Sequence, residues 1–223
     1  MNFEKLQISR LEKKLPGFTL QADFDLEPGS RAAIVGRSGS GKTTLLRMIA
    51  GLEWVDSGRV IIGENDVTSW APEKRDVGFV FQDQALFASM SVMENASFGL
   101  MMRSVSREER ESRVKPWLDR VDLAQQIDTP VGRLSGGERQ RLAFVRAWVW
   151  SPRIILLDEP FSALDTALRQ SLRRQLVELH QVWPVPLLMV THDEEDSIQV
   201  ATTRVVLNEK SGLNLRVFSR ESR

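Results

Sequence analysis

Arg31-Ala32-Ala33-Ile34-Val35-Gly36-Arg37-Ser38-Gly39-Ser40-Gly41-Lys42-Thr43-Thr44 decides the fold. The apolar run Arg31 to Val35 reads as a buried strand that leads straight into glycine-rich chain, and Lys42 to Ala50 reads as a helix stopped by Gly51, a good residue just past a helix end. Gly36 and Gly41 are separated by four residues and followed by Lys42 and Thr43, the spacing of a phosphate loop. The small residues Gly36, Ser38, Gly39, Ser40 and Gly41 let backbone N–H groups, that of Arg37 among them, turn inward around phosphate oxygens. The helix that starts near Lys42 adds its positive dipole end. Lys42 would then reach the β- and γ-phosphates, Thr43 would ligate Mg²⁺ through its hydroxyl, and Thr44 would make a second phosphate contact. The expected ligands are ATP and Mg²⁺.

Outward from this stretch, short apolar strands alternate with amphipathic helices, which predicts an α/β fold on a mostly parallel sheet. Arg153 to Leu157 is a second strand, and its apolar run Ile154-Ile155-Leu156-Leu157 ends in Asp158-Glu159. Asp158 would hold the Mg²⁺ shell, and Glu159, turned the other way, would polarise an attacking water as general base. Val185 to Thr191 is a third strand, with His192 at its carboxyl end, where open α/β sheets place their ligands. Between these two strands Leu168, Leu172, Leu176 and Leu179 recur at helical spacing as one buried stripe, and His180, off that stripe, is expected to face solvent. Residues 85–149 differ in character: helical periodicity, no convincing strand, and three capping-box pairs, Ser91 with Glu94, Ser106 with Glu109 and Ser135 with Glu138. They are read as a helical subdomain inserted in a core made of residues 1–84 and 150–223.

Composition narrows the possibilities. Thirty Lys plus Arg balance thirty Asp plus Glu, so no overall drive toward nucleic acid or anionic membrane is present, and no nucleic-acid partner is expected. The absence of cysteine excludes disulfides and thiolate-bound metal. The first residues, Met1 to Lys14, carry no apolar signal core, and the richest apolar segment, Leu142 to Trp150, is interrupted by Arg146.

A phosphate loop with strand-end acids would equally suit kinases and GTPases. The deciding element is Leu134-Ser135-Gly136-Gly137-Glu138-Arg139-Gln140, a second anion site in which Ser135 caps a helix whose first turn carries Gly136 and Gly137. One γ-phosphate cannot easily use two separate helix N-termini of one subunit, but a second copy of the chain can supply the other. With these motifs in order the sequence resembles the ATP-binding cassette family over nearly its whole length: phosphate loop, Gln82 in Phe79-Val80-Phe81-Gln82-Asp83, the Leu134 to Glu138 signature, Asp158-Glu159, Ser162-Ala163-Leu164-Asp165 and Thr191-His192-Asp193. The resemblance implies a P-loop core joined to an antiparallel β subdomain and the helical subdomain. It implies a head-to-tail homodimer around two ATP, with Ser135, Gly136 and Gly137 acting across the interface. By the same resemblance Gln82 senses Mg²⁺ and the attacking water, Asp165 links the two sites, and His192 contacts the γ-phosphate.

Finer resemblance of Pro72 to Gln82 and Leu157 to Asp165 points to bacterial importers of inorganic anions, iron, thiamine, polyamines or sugars. An ATPase subunit on the cytoplasmic face is then expected, peripheral to the cell membrane, with transmembrane permease subunits docking at Gln82 to Met102 and a substrate-capture protein as further partner. Met90, Met93, Met101 and Met102 beside Phe87 and Phe98 suit either that docking surface or plain core. A DNA-repair or chromosome-organising ATPase and an exporter-associated ATPase are the alternatives. Two departures stand out. No tyrosine is available to stack on adenine, Leu11, Lys13 and Lys14 occupying that neighbourhood with Phe18 as substitute, and Val205 to Arg223 leaves no room for an added regulatory domain.

Overall fold

Strict alternation builds the first sheet. In β2 (Phe18–Leu26) Leu20, Ala22, Phe24 and Leu26 are buried while the residues between them face water, the period of a half-covered antiparallel strand. It pairs with β1 (Leu6–Leu15), which pairs in turn with β4 (Ser57–Ile62) and that with β5 (Asn65–Asp66), giving the order β2-β1-β4-β5. The second sheet has six strands. Its order is β10-β9-β3-β8-β7-β6, from β3 (Arg31–Val35), β6 (Val77–Val80), β7 (Ile154–Asp158), β8 (Leu187–Thr191), β9 (Thr203–Val206) and β10 (Arg216–Ser219). β3 lies parallel to β8 and to β9, and β7 parallel to β8, whereas β10 is antiparallel to β9. Every residue of β7 and β8 is buried, as strands covered on both faces require. This computed structural model describes residues 3–36, 39–162, 164–206 and 216–219, with backbone alone for 204–206 and 216–219.

The chain divides into two compact units, Met1–Phe79, Arg153–Glu159 and Pro184–Arg223 forming one, Val80–Pro152 and Pro160–Trp183 the other. In the first, α1 (Lys42–Ala50) shares a single core with both sheets: Leu45, Leu46, Met48 and Ile49 meet Ile8, Leu20 and Val60 on one side and Ile34, Ile154, Leu156 and Val190 on the other. Gly51 ends the helix at φ 78°, with its N–H on Met48 O and that of Leu52 on Arg47 O.

The second unit holds α2 (Val92–Met101), α3 (Arg107–Arg120), α4 (Gly136–Trp148) and α5 (Thr166–Val182). Ser91 with Glu94 and Ser135 with Glu138 form reciprocal capping boxes. Ser106 accepts from the Glu109 amide, but Glu109 turns its carboxylate to Arg113 instead of closing a box. The stripe on α5 is broader than four leucines. Leu172, Arg173, Leu176, Leu179 and His180 are all buried, so His180, 1% exposed, does not face solvent. It stands eight residues beyond Leu172, on the same wide face of a 3.6-residue helix. Leu168 at the start of the stripe is only half-buried.

Candidate functional site

Three parallel strands of the first unit end side by side and deliver the candidate chemistry. From β3 the chain turns at Gly36, from β7 come Asp158 and Glu159, and from β8 comes His192. Gly39 and Gly41 hold φ of 80° and 88°, a region closed to most side chains. Gly41 is the N-cap of α1 and has no side chain with which to cap it, and the first turn carries no acid, so the positive end of the helix is left for an external anion. Among the described residues Ser40 Oγ is buried with no hydrogen-bond partner, a polar group that a phosphate oxygen would satisfy. Arg37 and Ser38 lie outside the described residues, as does Ala163.

Lys42 is 5% exposed and donates from Nζ to Gly36 O at 2.8 Å, folded back over its own loop. Burial pushes its pKa down, with the negative charges of Glu159 and Asp158 working against that shift. Thr43 Oγ1 donates to Asp158 Oδ1 at 3.0 Å. Burial raises the pKa of Asp158, the Thr43 hydrogen bond opposes it, and the charge of Glu159 adds to it. A hydroxyl and a carboxylate in contact, both oxygen donors, suit Mg²⁺, which takes few protein ligands and fills its octahedron with phosphate and water. Among the described residues no group of three or more His, Asp or Glu side chains exists that would form an all-protein cage.

Glu159 sits at φ 45°, with its N–H on Val190 O, and its Oε2 lies 2.9 Å from His192 Nδ1. A carboxylate has no proton to give, so Nδ1 carries the hydrogen. His192 is presented by a tight turn: Thr191 Oγ1 donates to the buried carboxylate of Asp196 at 2.8 Å and accepts from the Asp193 amide. Asp193 then caps α6 (Glu194–Val200) through the Glu195 amide.

In the second unit, Ser135 Oγ accepts from the Glu138 amide at 3.3 Å, and the Ser135 amide donates to Glu138 Oε2 at 2.7 Å. Hydrogen bonds from Gln126, then from Ser135, hold the Glu138 carboxyl down to about 2. The two glycines differ in their reasons. A Cβ on Gly137 would lie 2.8 Å from Leu168 Cδ1 of α5, whereas one on Gly136 would meet only Arg139 Nη2, at an ordinary 4.0 Å. Asp165 caps α5 by accepting from the Leu168 amide, so the starts of α4 and α5 meet through Leu168. Gln82 is exposed in the same unit.

A family model described as ABC transporter matches residues 20–162, which contain all but the last strand of the site. The chain belongs to the ABC transporter family. Among curated relatives of this ABC chain is the sulfate/thiosulfate import ATP-binding protein CysA of Synechococcus elongatus, 44% identical over 205 residues, 91% of this chain and 60% of that protein. The CysA of Bradyrhizobium diazoefficiens is 46% identical over 209 residues, 91% of this chain and 61% of that protein. The chain spans about three fifths of the length of the curated relatives it matches. Among solved structures, the ATP-binding cassette MJ0796, bound to ADP and Pi in a dimeric post-hydrolysis state, gives a TM-score of 0.82 at 26% identity over 98% of this chain and 100% of that one. CbiO1 of Clostridium perfringens, part of an ABC transporter complex, gives 0.81 at 27% identity over 92% of this chain and 85% of that one. The α/β fold with its parallel and antiparallel sheets is that of these cassettes.

Several residues that shape the site of this ABC chain escape a reading of the sequence. Asp196 anchors the turn carrying His192, yet it looks like one more acid at a helix start. Arg75, 4% exposed, caps the far end of α1 by donating to Met48 O and Ile49 O at 2.8 and 3.0 Å, and also donates to Thr68 O and Trp70 O. Of the residues in the expected adenine neighbourhood, Leu11 is core, Lys13 is held by Trp54 O and Glu53, and the Lys14 amide donates to Asp56. Phe18, 41% exposed, stands at the β1–β2 turn, while Leu15 and Leu20 of that hairpin approach Gly41.

Proposed function

We propose that this chain binds ATP with Mg²⁺ at Gly36–Thr44 and hydrolyses it as the nucleotide-driven subunit of a membrane importer, working as a head-to-tail dimer. The observation that carries the reading is the pairing of Glu159 with His192 at 2.9 Å, at the ends of the strands beside the one that feeds the phosphate loop. The loop amides, the α1 N-terminus and Lys42 bind the triphosphate, and Thr43 with Asp158 holds the metal, which supplies charge neutralisation at the β- and γ-phosphate oxygens. Glu159 takes a proton from the attacking water, and His192 fixes the direction of that carboxylate. Ser135, Gly136, Gly137 and Asp165 of a second copy complete the site, and Gln82 reports its state to the permease.

Import rather than DNA repair is favoured by what lies between Gln82 and Leu134. The described residues there form α2, α3 and short turns, with no long coiled coil. An inorganic oxyanion such as sulfate is the substrate class suggested by the CysA relatives. The permease dock is placed on Gln82–Met102. There Phe87, Met101 and Met102 are exposed, the Phe87 and Phe98 rings meet at a tilt of 47° with centroids 4.7 Å apart, and Met90, Met93 and Met101 help line a groove of about 630 Å³. No helix among the described residues is long and apolar enough to cross a membrane.

The test is Glu159→Gln, assayed for ATP binding and turnover in parallel. Binding stays within about two-fold while turnover falls ~10²- to 10⁴-fold, the ordinary contribution of a general base. Turnover near the unsubstituted level would remove Glu159 from its role.

A further inference from the structure

The residues just after Gln82 are held in an unusual way. Gln84 and Ala85 are consecutive non-glycine residues with positive φ, 63° and 47°, a conformation that side-chain-bearing residues adopt reluctantly even singly. Such a pair persists only where its surroundings over-determine it. The carbonyl oxygens of this pair are gripped by one side chain: Arg146, in the last turn of α4, donates from Nη2 to Gln84 O and from Nη1 to Ala85 O, both at 2.7 Å. A second link runs from Gln84 Nε2 to Gln140 Oε1 at 3.0 Å, and Gln140, 2% exposed, also belongs to α4. The guanidinium further lies 5.9 Å from the Phe87 ring centre, and Phe87 itself exchanges two backbone hydrogen bonds with the Asn95 side chain.

The geometry points to Arg146 as a positioning residue that makes the chain after Gln82 and the helix beginning at Ser135 one mechanical piece. A guanidinium is suited to this because its planar fork spans two oxygens at once, which a lysine ammonium cannot do. α4 is a continuous helix, so displacement of Gln84 to Phe87 at the helix's carboxyl end is delivered to Ser135, Gly136 and Gly137 at its start. A partner pressing on the exposed Phe87 surface would thereby move the group that completes the neighbouring subunit's ATP site. The inference rests on the proposed roles of Gln82 and Ser135.

Hydrogen exchange on the full chain tests it, with Arg146→Lys and Arg146→Met beside the unsubstituted protein. The Gln84 and Phe87 amides are hydrogen-bonded to Phe81 O and Asn95 Oδ1 and report the held segment, while the Phe144 and Val145 amides report α4 itself. In Arg146→Lys, exchange at Gln84 and Phe87 quickens about ten-fold or more, the loss expected for a hydrogen bond to a charged group, with Phe144 and Val145 unchanged. Turnover falls about ten-fold while the KM for ATP stays within about two-fold, because the phosphate loop is untouched. Arg146→Met gives the same pattern, larger. In the unsubstituted protein, addition of ATP alters protection at Gln84–Phe87 and at Glu138–Arg139 together. Parallel loosening of all of α4, or unchanged exchange at Gln84 in Arg146→Lys, overturns the inference. If Arg146→Met fails to fold, Arg146→Lys and the ATP response decide. An unsubstituted chain without ATP turnover counts against the proposed function, and exchange in the nucleotide-free variants still judges Arg146.

Discussion

Replacing Glu138 by glutamine changes one atom and isolates what holds the start of α4. The carboxylate uses both oxygens: Oε1 accepts from Gln126 Nε2 at 2.7 Å, and Oε2 accepts from the Ser135 amide and hydroxyl, each at 2.7 Å. Glutamine offers a single, uncharged acceptor oxygen, so the Ser135 links lose their charge assistance and the Gln126 link survives only if the Gln126 amide flips to accept from the new NH2. The carboxyl pKa falls from 4.5 to about 2 on folding. That gap sets a ceiling of roughly 3 kcal/mol at neutral pH, and the partial exposure of Glu138 brings the expectation to about 1–2 kcal/mol. The sign follows from the depressed pKa: the contribution is complete above 4.5 and disappears as pH falls toward 2. At pH 4 the unfolded chain has already taken up much of its proton, which narrows the difference between the two proteins by about 1 kcal/mol. Chemical denaturation followed by circular dichroism at pH 7, 5 and 4 measures this. Glu138→Gln should be the less stable at pH 7, and the difference should shrink steadily with acid. A difference that does not vary with pH would show that the carboxylate charge has no part in capping α4.

Two further outcomes follow from the packing of the site. Gly137→Ala drives a methyl toward Leu168 and costs about 1–3 kcal/mol, whereas Gly136→Ala has room and is neutral or gains up to ~1 kcal/mol of helix propensity; thermal unfolding of both variants distinguishes them. Thr191→Val leaves the buried Asp196 carboxylate without the hydroxyl donor, costs about 1–3 kcal/mol, and lowers ATP turnover because the turn carrying His192 loosens; equal turnover at full folding would detach Asp196 from the site.

The parts legible in sequence were those fixed by neighbours along the chain. Arg31–Val35, the glycines after it and Lys42–Ala50 follow from local spacing, and the caps at Ser91 and Ser135 from residues three apart. What was not legible depends on partners far away in the chain. His180 looks solvent-facing until the buried face of α5 is known to include Arg173, its neighbour two turns back. Gly137 reads as a glycine left bare for a ligand, and nothing in the sequence signals that a Cβ there would also press on Leu168 of another helix. Arg75 and Arg146 look like surface charges in a balanced composition, and their roles appear only when the carbonyls of Met48, Ile49, Gln84 and Ala85 come within reach. Periodicity reports which way a residue faces, not which atoms it will meet.

Glu159 carries its carboxylate from a backbone at φ 45°, where a side chain costs the fold about 1 kcal/mol or more and a glycine would cost almost nothing. Under the role proposed for Glu159, shortening that residue to glycine would relieve the backbone while removing both the base and the hydrogen bond to His192. With Glu159 in the proposed role of base, backbone ease and chemistry pull this one position in opposite directions, and a version of the chain obtained by screening for heat resistance alone would be expected to exchange that carboxylate early.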